Sequence, residues 1–351
     1  MMKTTDVPAL FAALLALLVS GAAPLPGGDD TAPDPVRSDS AAPPADHHMH
    51  VWSADARDAL VRLMAAGREG EPPQIPTFDG EQVMAELDSA GIERGVLLST
   101  AYFFGSPDVD FEDERRRVRR ENDRVARQVA EHPDRLVAFF GVNPLADYAA
   151  DEAERCASTA ECVGMKLQLA NSDVDLREPA HVEQLREFFR RAGELDLAIV
   201  IHLQTRREDF GRRDVEAFVD HVLPAAPDIP VQVAHMGGDS RFDSATVRSF
   251  DALADAMEEH PERMDDVFFD MGLVPFPEQR ARGDTARQRI YRRWNRRFAE
   301  AVRRVGPDRV VFGTDYPEAR PGQYARRLRQ SLPLTAAEIR DLFDDRAPYL
   351  E

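Results

Sequence analysis

From residue 45 onward, two patterns of apolar positions alternate along the chain. Short runs near 46–52, 94–100, 136–142, 163–169, 198–202, 231–235, 267–271 and 310–313 are apolar and mostly rich in β-branched or aromatic residues. Such runs suit strands that are buried on both faces, as in a parallel sheet. Between them lie polar stretches of helix length, at 112–131, 181–195, 214–223, 245–260 and 285–305. Alternating strand and helix predicts an α/β fold with parallel strands. Proline followed by an acid recurs at Pro133-Asp134, Pro227-Asp228, Pro261-Glu262 and Pro307-Asp308. Proline cannot continue a helix, so these pairs mark repeated helix-to-strand joints. Eight such units predict a closed (β/α)₈ barrel rather than an open sheet. The first connection, 53–92, is long enough for a helix, a Gly/Pro-rich loop at 67–76 and a second helix capped by Asp79.

The candidate chemistry falls at the ends of the strands. Asp46-His47-His48-Met49-His50 enters the first strand. Residues two apart share one face of a strand, so His48 and His50 project together, with Asp46 one step deeper. His47 and Met49 face the other way, and His47 reads as structural. Two imidazoles at a barrel mouth can hold one borderline divalent ion. His202, His235 and Asp315 each end a later apolar run, at the rim where barrel active sites are built. The successive intervals His50–His202, His202–His235 and His235–Asp315 are 152, 33 and 80 residues. At one βα unit per 33 to 40 residues, these side chains sit on strands one, five, six and eight. A strand-end histidine can instead satisfy a backbone carbonyl, and Asp315 can merely cap a turn. Four such groups around one mouth favour a shared ion. His132, His181, His221 and His260 fall on helices or their ends and read as surface residues.

Together, D-x-H-x-H, two strand-end histidines and Gly313-Thr314-Asp315 resemble the amidohydrolase superfamily. More narrowly, the chain is similar to the amidohydrolase-related group that includes the aminocarboxymuconate-semialdehyde decarboxylase-like enzymes. The stretches 84–92, Gly141-Val142-Asn143-Pro144 and Gly164-Met165-Lys166-Leu167, with Asn122, fit the same group. The resemblance runs from about residue 45 to the C-terminus. It implies a metal-dependent barrel with His48, His50, His202 and Asp315 as metal ligands. Asp315 also takes a proton from water, His235 polarises the substrate, and Asp46 orients the first-strand ligands. The implied cofactor is one divalent metal, zinc first, or two if Lys166 is carboxylated to bridge them. Lys166 could equally anchor a substrate carboxylate or be structural.

The resemblance implies hydrolysis of a C–N or C–O bond in a small amide, lactone or ester, with non-oxidative decarboxylation of a small carboxylic acid as the alternative. Decarboxylation needs a cationic anchor, with Lys166, Arg206 and Arg207 as candidates, and a site closed to water, for which the loop 273–284 with Phe276 could serve as a lid. A non-catalytic binding protein that keeps a structural metal is a third reading, disfavoured by the intact ligand set.

Composition narrows the partners. A net charge of −19 excludes the basic footprint that nucleic acid requires and disfavours anionic membranes. The expected partner is a small-molecule substrate, and a homo-oligomer is compatible with the sequence. Residues 1–23 read as a secretory leader: Lys3, an apolar stretch over 8–19, then Ser20-Gly21-Ala22-Ala23. Residues 24–44 read as a Pro/Ala/Asp-rich linker, leaving 45–351 as the catalytic domain. Export to the periplasm or the exterior would permit a disulfide between Cys156 and Cys162, the only cysteines; the alternative is two unpaired small residues.

Lys3 and Lys166 are the only lysines, so 42 of the 44 basic residues are arginine. An acidic, lysine-poor surface suits a saline environment; codon bias with ordinary acidity gives the same composition. A salt titration separates the two. The saline reading expects activity to persist in molar salt, and maximal activity in dilute buffer with loss in molar salt removes it.

Overall fold

Eight parallel strands neighbour one another in chain order: β1 (Ala45–Met49), β2 (Arg94–Leu98), β3 (Leu136–Gly141), β4 (Cys162–Gln168), β5 (Ala198–His202), β6 (Val231–Val233), β7 (Val267–Asp270) and β8 (Val310–Val311). The last meets the first: the His47 amide donates to the Phe312 carbonyl (2.9 Å) and the His50 amide to the Tyr316 carbonyl (2.8 Å). The expected closed (β/α)₈ barrel is therefore the fold. This computed structural model describes residues 42–66, 74–239, 242–275, 283–344 and 347–350. The leader, most of the linker, most of the Gly/Pro-rich loop and most of the 273–284 loop, including Phe276, lie outside the described residues.

Helices cover the barrel. The long first connection holds α1 (Ala54–Ala65) and α2 (Gly80–Ala90). As expected, Asp79 caps α2: its carboxylate accepts from the Gln82 amide, and the Gln82 side chain returns a bond to the Asp79 amide. The other helices are α3 (Glu114–Ala130), α4 (Ala149–Ala157), α5 (Pro179–Glu194), α6 (Arg212–His221), α7 (Ser244–Glu259), α8 (Thr285–Val305), α9 (Pro321–Ser331) and α10 (Ala336–Asp344). Each presents an apolar stripe to the strands. In α5, for example, Leu185, Phe188, Phe189 and Ala192 follow the helical repeat and are buried, and Pro179 opens the first turn.

Strand alternation separates two cores. Outward residues such as Leu97, Met165, Leu167, Ile199 and Ile201 join the helices in one continuous layer. Inward residues Val96, Leu98, Val137, Phe139, Ala198 and Val200 fill the lower barrel, which Leu350 and Tyr349 close from below. The upper barrel is polar, and the candidate site lies there.

Most strands end before their apolar runs do, and after β6 and β8 left-handed residues follow. His235 and Met236 (φ +53° and +54°) and Asp315 (φ +56°) adopt left-handed backbone conformations. Such residues cannot extend a ladder, so β6 stops at Val233. His235 is therefore a turn residue rather than the last residue of a strand.

Cys156 at the end of α4 and Cys162 at the start of β4 form a disulfide across a Cα–Cα distance of 5.4 Å. Its loop is short, so loop-closure entropy assigns it about 2 kcal/mol. Replacing both cysteines with alanine is expected to lower the urea unfolding free energy by about that amount. An unchanged unfolding midpoint would remove the disulfide from the stability of the barrel.

Candidate metal centre

The β1 pattern carries His48 and His50 into the barrel mouth, where their Nε2 atoms lie 3.2 Å apart. Their other nitrogens fix the tautomers. His50 Nδ1–H donates to the Leu98 carbonyl (2.8 Å), and His48 Nδ1–H donates to Asp270 Oδ2 (2.9 Å). Burial lowers the His48 pKa to about 4, against the pull of Asp270, so the ring is neutral at physiological pH. With each Nδ1 turned to its own acceptor, the two Nε2 atoms face each other and can present lone pairs to one ion. Asp315 Oδ1 stands 3.4 Å from His48 Nε2 and 3.3 Å from His50 Nε2. Ligands on one small divalent ion, with bonds of about 2.1 Å, lie about 3.0–3.4 Å from one another.

His235 adds another candidate nitrogen. Its Nδ1 faces the Gly272 carbonyl (2.8 Å), which leaves Nε2 as the candidate ligand atom. Ligand atoms of His48, His235 and Asp315 lie within 4.8 Å of one another. The His202 ring centre is 5.0 Å from that of His235, and His202 Nε2 is buried with no hydrogen-bond partner. A buried polar atom without a partner is costly and calls for one. The facing lone pairs and the orphaned nitrogen fit a divalent cation. The structure thus brings together all five residues that the sequence placed at strands one, five, six and eight. It sets His235 among the candidate ligands rather than beside them.

Asp270, which sequence reading missed, supports this group. It ends β7, is fully buried, and accepts from His48 Nδ1, from Gln232 Nε2 (2.7 Å) and from the amides of His235 and Gly272 (3.0 Å each). Burial opposes its ionisation, but the contact with His48 and these donors hold it well below the usual carboxylate range. A signal was available: Val-Phe-Phe-Asp is an apolar run ending in an acid, as is the run before Asp315.

Asp46 acts differently from its expected role. It touches neither imidazole of the pair but accepts from the His48 amide (3.2 Å), the Thr314 amide (3.1 Å) and the Thr314 hydroxyl (2.6 Å). It therefore ties β1 to the turn that carries Asp315. Burial raises its pKa to about 7 despite these bonds. His47 is structural, as expected: Nδ1 donates to the Phe312 carbonyl (2.9 Å) and Nε2 accepts from the Ala347 amide (3.1 Å).

A cavity of about 100 Å³ opens above this group. Trp52, Leu60, Phe103 and Leu273 form apolar walls, while Tyr102, Gln168 and Asn171 are polar neighbours. Lys166 lies at its base, 1 % exposed, with no hydrogen bond or ion pair to its ammonium among the described residues. Arg206 and Arg207, expected as anchors, do not line the cavity. Arg206 is paired with Asp108 (2.8 Å) and Arg207 with Asp175 (3.0 Å), which turns both guanidinia away. Tyr102 was also missed. It sits in the turn after β2, and its ring lines the cavity.

A family model described as amidohydrolase matches residues 45–346. The chain belongs to the amidohydrolase family. Metal-dependent chemistry on small molecules is what this family shares. Two solved structures share the fold of this amidohydrolase. One is a 5-carboxyvanillate decarboxylase from Novosphingobium aromaticivorans, with manganese and 3-methoxy-4-hydroxy-5-nitrobenzoic acid bound. It is 15 % identical, the match covers 89 % of this chain and 97 % of that one, and the TM-score is 0.56. The other is the 5-carboxyvanillate decarboxylase of Sphingomonas paucimobilis, 15 % identical over 88 % and 98 % of the two chains, with a TM-score of 0.55. No curated protein matches the sequence.

Replacing Asp270 with asparagine keeps the size of the side chain but removes the charge that orients His48. Affinity for a divalent ion is expected to fall by about 10- to 100-fold. Titration of the metal-free protein measures this, with His221→Ala as the distant control. Equal affinities in the two variants would exclude Asp270 from the centre.

Proposed function

We propose that this amidohydrolase is a metal-dependent decarboxylase of a small carboxylic acid. The observation that carries this reading is Lys166. A buried ammonium with no direct hydrogen bond or ion pair among the described residues, felt only at longer range by Asp270 and Asp315, suits an anionic group of the substrate. Two proteins that share the fold are 5-carboxyvanillate decarboxylases, which supports asking first about loss of CO₂. His48, His50, His202 and Asp315, with His235 among the candidate ligands, would hold a divalent ion, which would supply electrophilic stabilisation to a substrate oxygen. Zinc and manganese both suit such a donor set.

The residues of the chain supply the rest. Lys166 holds the carboxylate. Trp52, Phe103 and Leu273 enclose the apolar body and keep water from the reacting carbon. Burial, followed by the negative field of Asp315, raises the Tyr102 hydroxyl well above its usual range, so it stays protonated as a donor to a substrate oxygen. Desolvation opposes the ionisation of Asp315, but its carboxyl lies below the usual carboxylate range when the imidazoles of His50, His48 and His235 around it carry their protons. A dication among the same nitrogens would act in the same direction. Asp315 accepts a proton from the substrate or from water and returns it to the carbon. The C–C bond breaks, CO₂ departs, and the electron pair left on carbon takes that proton; nothing is oxidised or reduced.

Hydrolysis of an amide, lactone or ester remains the second reading. An ionised Asp315 beside the ligand nitrogens could equally take a proton from an attacking water. A carboxylated Lys166 bridging two metals would belong to that chemistry. We place the enzyme outside the cytoplasm: residues 1–23 fit a leader, 24–44 fit a linker, and the disulfide fits an oxidising compartment.

The test is CO₂ release from a panel of small aromatic and unsaturated acids, run beside lactones and amides, together with the metal content of the protein. Decarboxylation expects CO₂ and about one metal per chain. Lactone or amide cleavage without CO₂ overturns it, and two metals would favour the bridged centre. Lys166→Met is expected to reduce kcat/KM about 100-fold or more while leaving the metal content unchanged. The pH dependence has a definite sign. Burial lowers the Lys166 pKa to about 8, so the ammonium is present below that pH and lost above it. A bound dication pushes it lower still. KM for a carboxylate should rise with pH, by about tenfold per unit above pH 8, and a flat KM between pH 7 and 10 would remove Lys166 as the anchor.

A further inference from the structure

A line of hydrogen bonds runs up the barrel interior from the C-terminus to His48. Tyr349 closes the lower barrel, with its ring centre 4.9 Å from that of Phe139 and 6.1 Å from that of Phe268. Its segment is anchored on both sides, since the Ala347 amide donates to His47 Nε2 (3.1 Å) and Arg94 donates to the Leu350 carbonyl. The Tyr349 hydroxyl then donates to Gln232 Oε1 (2.5 Å). Gln232 is fully buried, and its Nε2 donates to Asp270 Oδ2 (2.7 Å) and to the His47 carbonyl (3.2 Å). The same Asp270 oxygen accepts from His48 Nδ1 (2.9 Å).

We propose that Tyr349 is a positioning residue of the metal centre, acting through Gln232 and Asp270 to fix the imidazole of His48. This rests on the metal-binding reading of His48, His50, His202 and Asp315. Each donor in the line meets an acceptor: the Tyr349 hydroxyl meets Gln232 Oε1, and Gln232 Nε2 and His48 Nδ1 both meet Asp270 Oδ2. With Oε1 engaged by the tyrosine hydroxyl, Gln232 is locked with its amino group toward Asp270. That amino group and His48 share one carboxylate oxygen, so a shift of the amide moves the acceptor that orients the ring. Outer hydrogen-bond partners of this kind set both the direction and the basicity of a ligating imidazole. Without the hydroxyl, Gln232 Oε1 is left as a buried acceptor with no partner, and the amide gains freedom to move away from Asp270. The ring of Tyr349 also packs in the floor. A purely structural role would therefore show as lost stability of the metal-free protein with unchanged metal affinity.

The experiment uses the full chain, stripped of metal and titrated with Zn²⁺ in competition with a chromophoric chelator, while melting of the metal-free form reports on the fold. Tyr349→Phe keeps the ring and removes only the hydroxyl. Its Kd for Zn²⁺ is expected to rise about three- to tenfold, at the lower edge of outer-partner effects because it acts one residue further out. Gln232→Met should weaken binding at least as much, and adding Tyr349→Phe to it should change Kd no further, because the path is already cut. A wild-type Kd in Tyr349→Phe overturns the proposal. So does the same weakening by Tyr349→Phe in both backgrounds, because it would then act without Gln232. Failure of the unaltered protein to bind any divalent ion overturns the metal-centre reading itself, and this proposal with it.

Discussion

The upper barrel is organised around one convergence of nitrogen and oxygen ligand atoms. His48 Nε2 and His50 Nε2 face each other at 3.2 Å, with an Asp315 oxygen 3.3 Å from one and 3.4 Å from the other. The Leu98 carbonyl and Asp270 each face the Nδ1 of one ring, which leaves both Nε2 atoms directed at one point as candidate ligand atoms. Convergent lone pairs in a buried site are unfavourable without a positive centre. The surrounding structure holds them there: Asp46 ties the first strand to the turn bearing Asp315, and Asp270 collects donors from β1, β6 and the turns that follow β6 and β7.

This placement depends on a sharp division within the barrel. Below the site the inward residues are Val96, Leu98, Val137, Phe139, Ala198 and Val200, and above them are imidazoles, carboxylates and Lys166. The apolar floor fixes the strands and lowers the dielectric beneath the ligands, which strengthens each electrostatic contact. The site also imposes backbone costs. His235 and Asp315 both take left-handed conformations, disfavoured by roughly 1–2 kcal/mol each for residues with a Cβ. Gly313 lets β8 approach β1, since a Cβ there would lie 3.0 Å from His48 Cβ.

Most of this fold was legible because strand period and joint chemistry are local. The alternation of apolar runs, the four Pro-acid joints and the spacing of His48, His50, His202, His235 and Asp315 gave the barrel and the rim to which each group belongs. The strand ends were less legible, because left-handed turns at His235 and Asp315 depend on what the side chains must reach. Asp270 hid inside a run read as purely structural. Gln232 hid in the middle of another, and no local pattern says that its amide faces the same carboxylate as a histidine 184 residues earlier. Arg206 and Arg207 show the converse: their charge suggested anchors, but partners distant in sequence, Asp108 and Asp175, claim them.

Charge balance links the centre to the cavity above it. Asp239 and Glu318 place acidic side chains in the cavity lining. Asp270 is fully buried and Asp315 partly so, both are held below the usual carboxylate range, and Asp46, raised to about 7, contributes a partial third charge. Lys166 is the cation at the cavity base, and it is not paired with any of them. Without a metal the site therefore carries a net negative charge and would repel an anionic substrate. A dication offsets Asp270 and Asp315, leaving Lys166 free to set the sign of what enters. On the proposed reading the metal and the lysine would act together: the ion would offset the field of Asp270 and Asp315, and the Lys166 ammonium would favour a substrate that brings an anionic group to it.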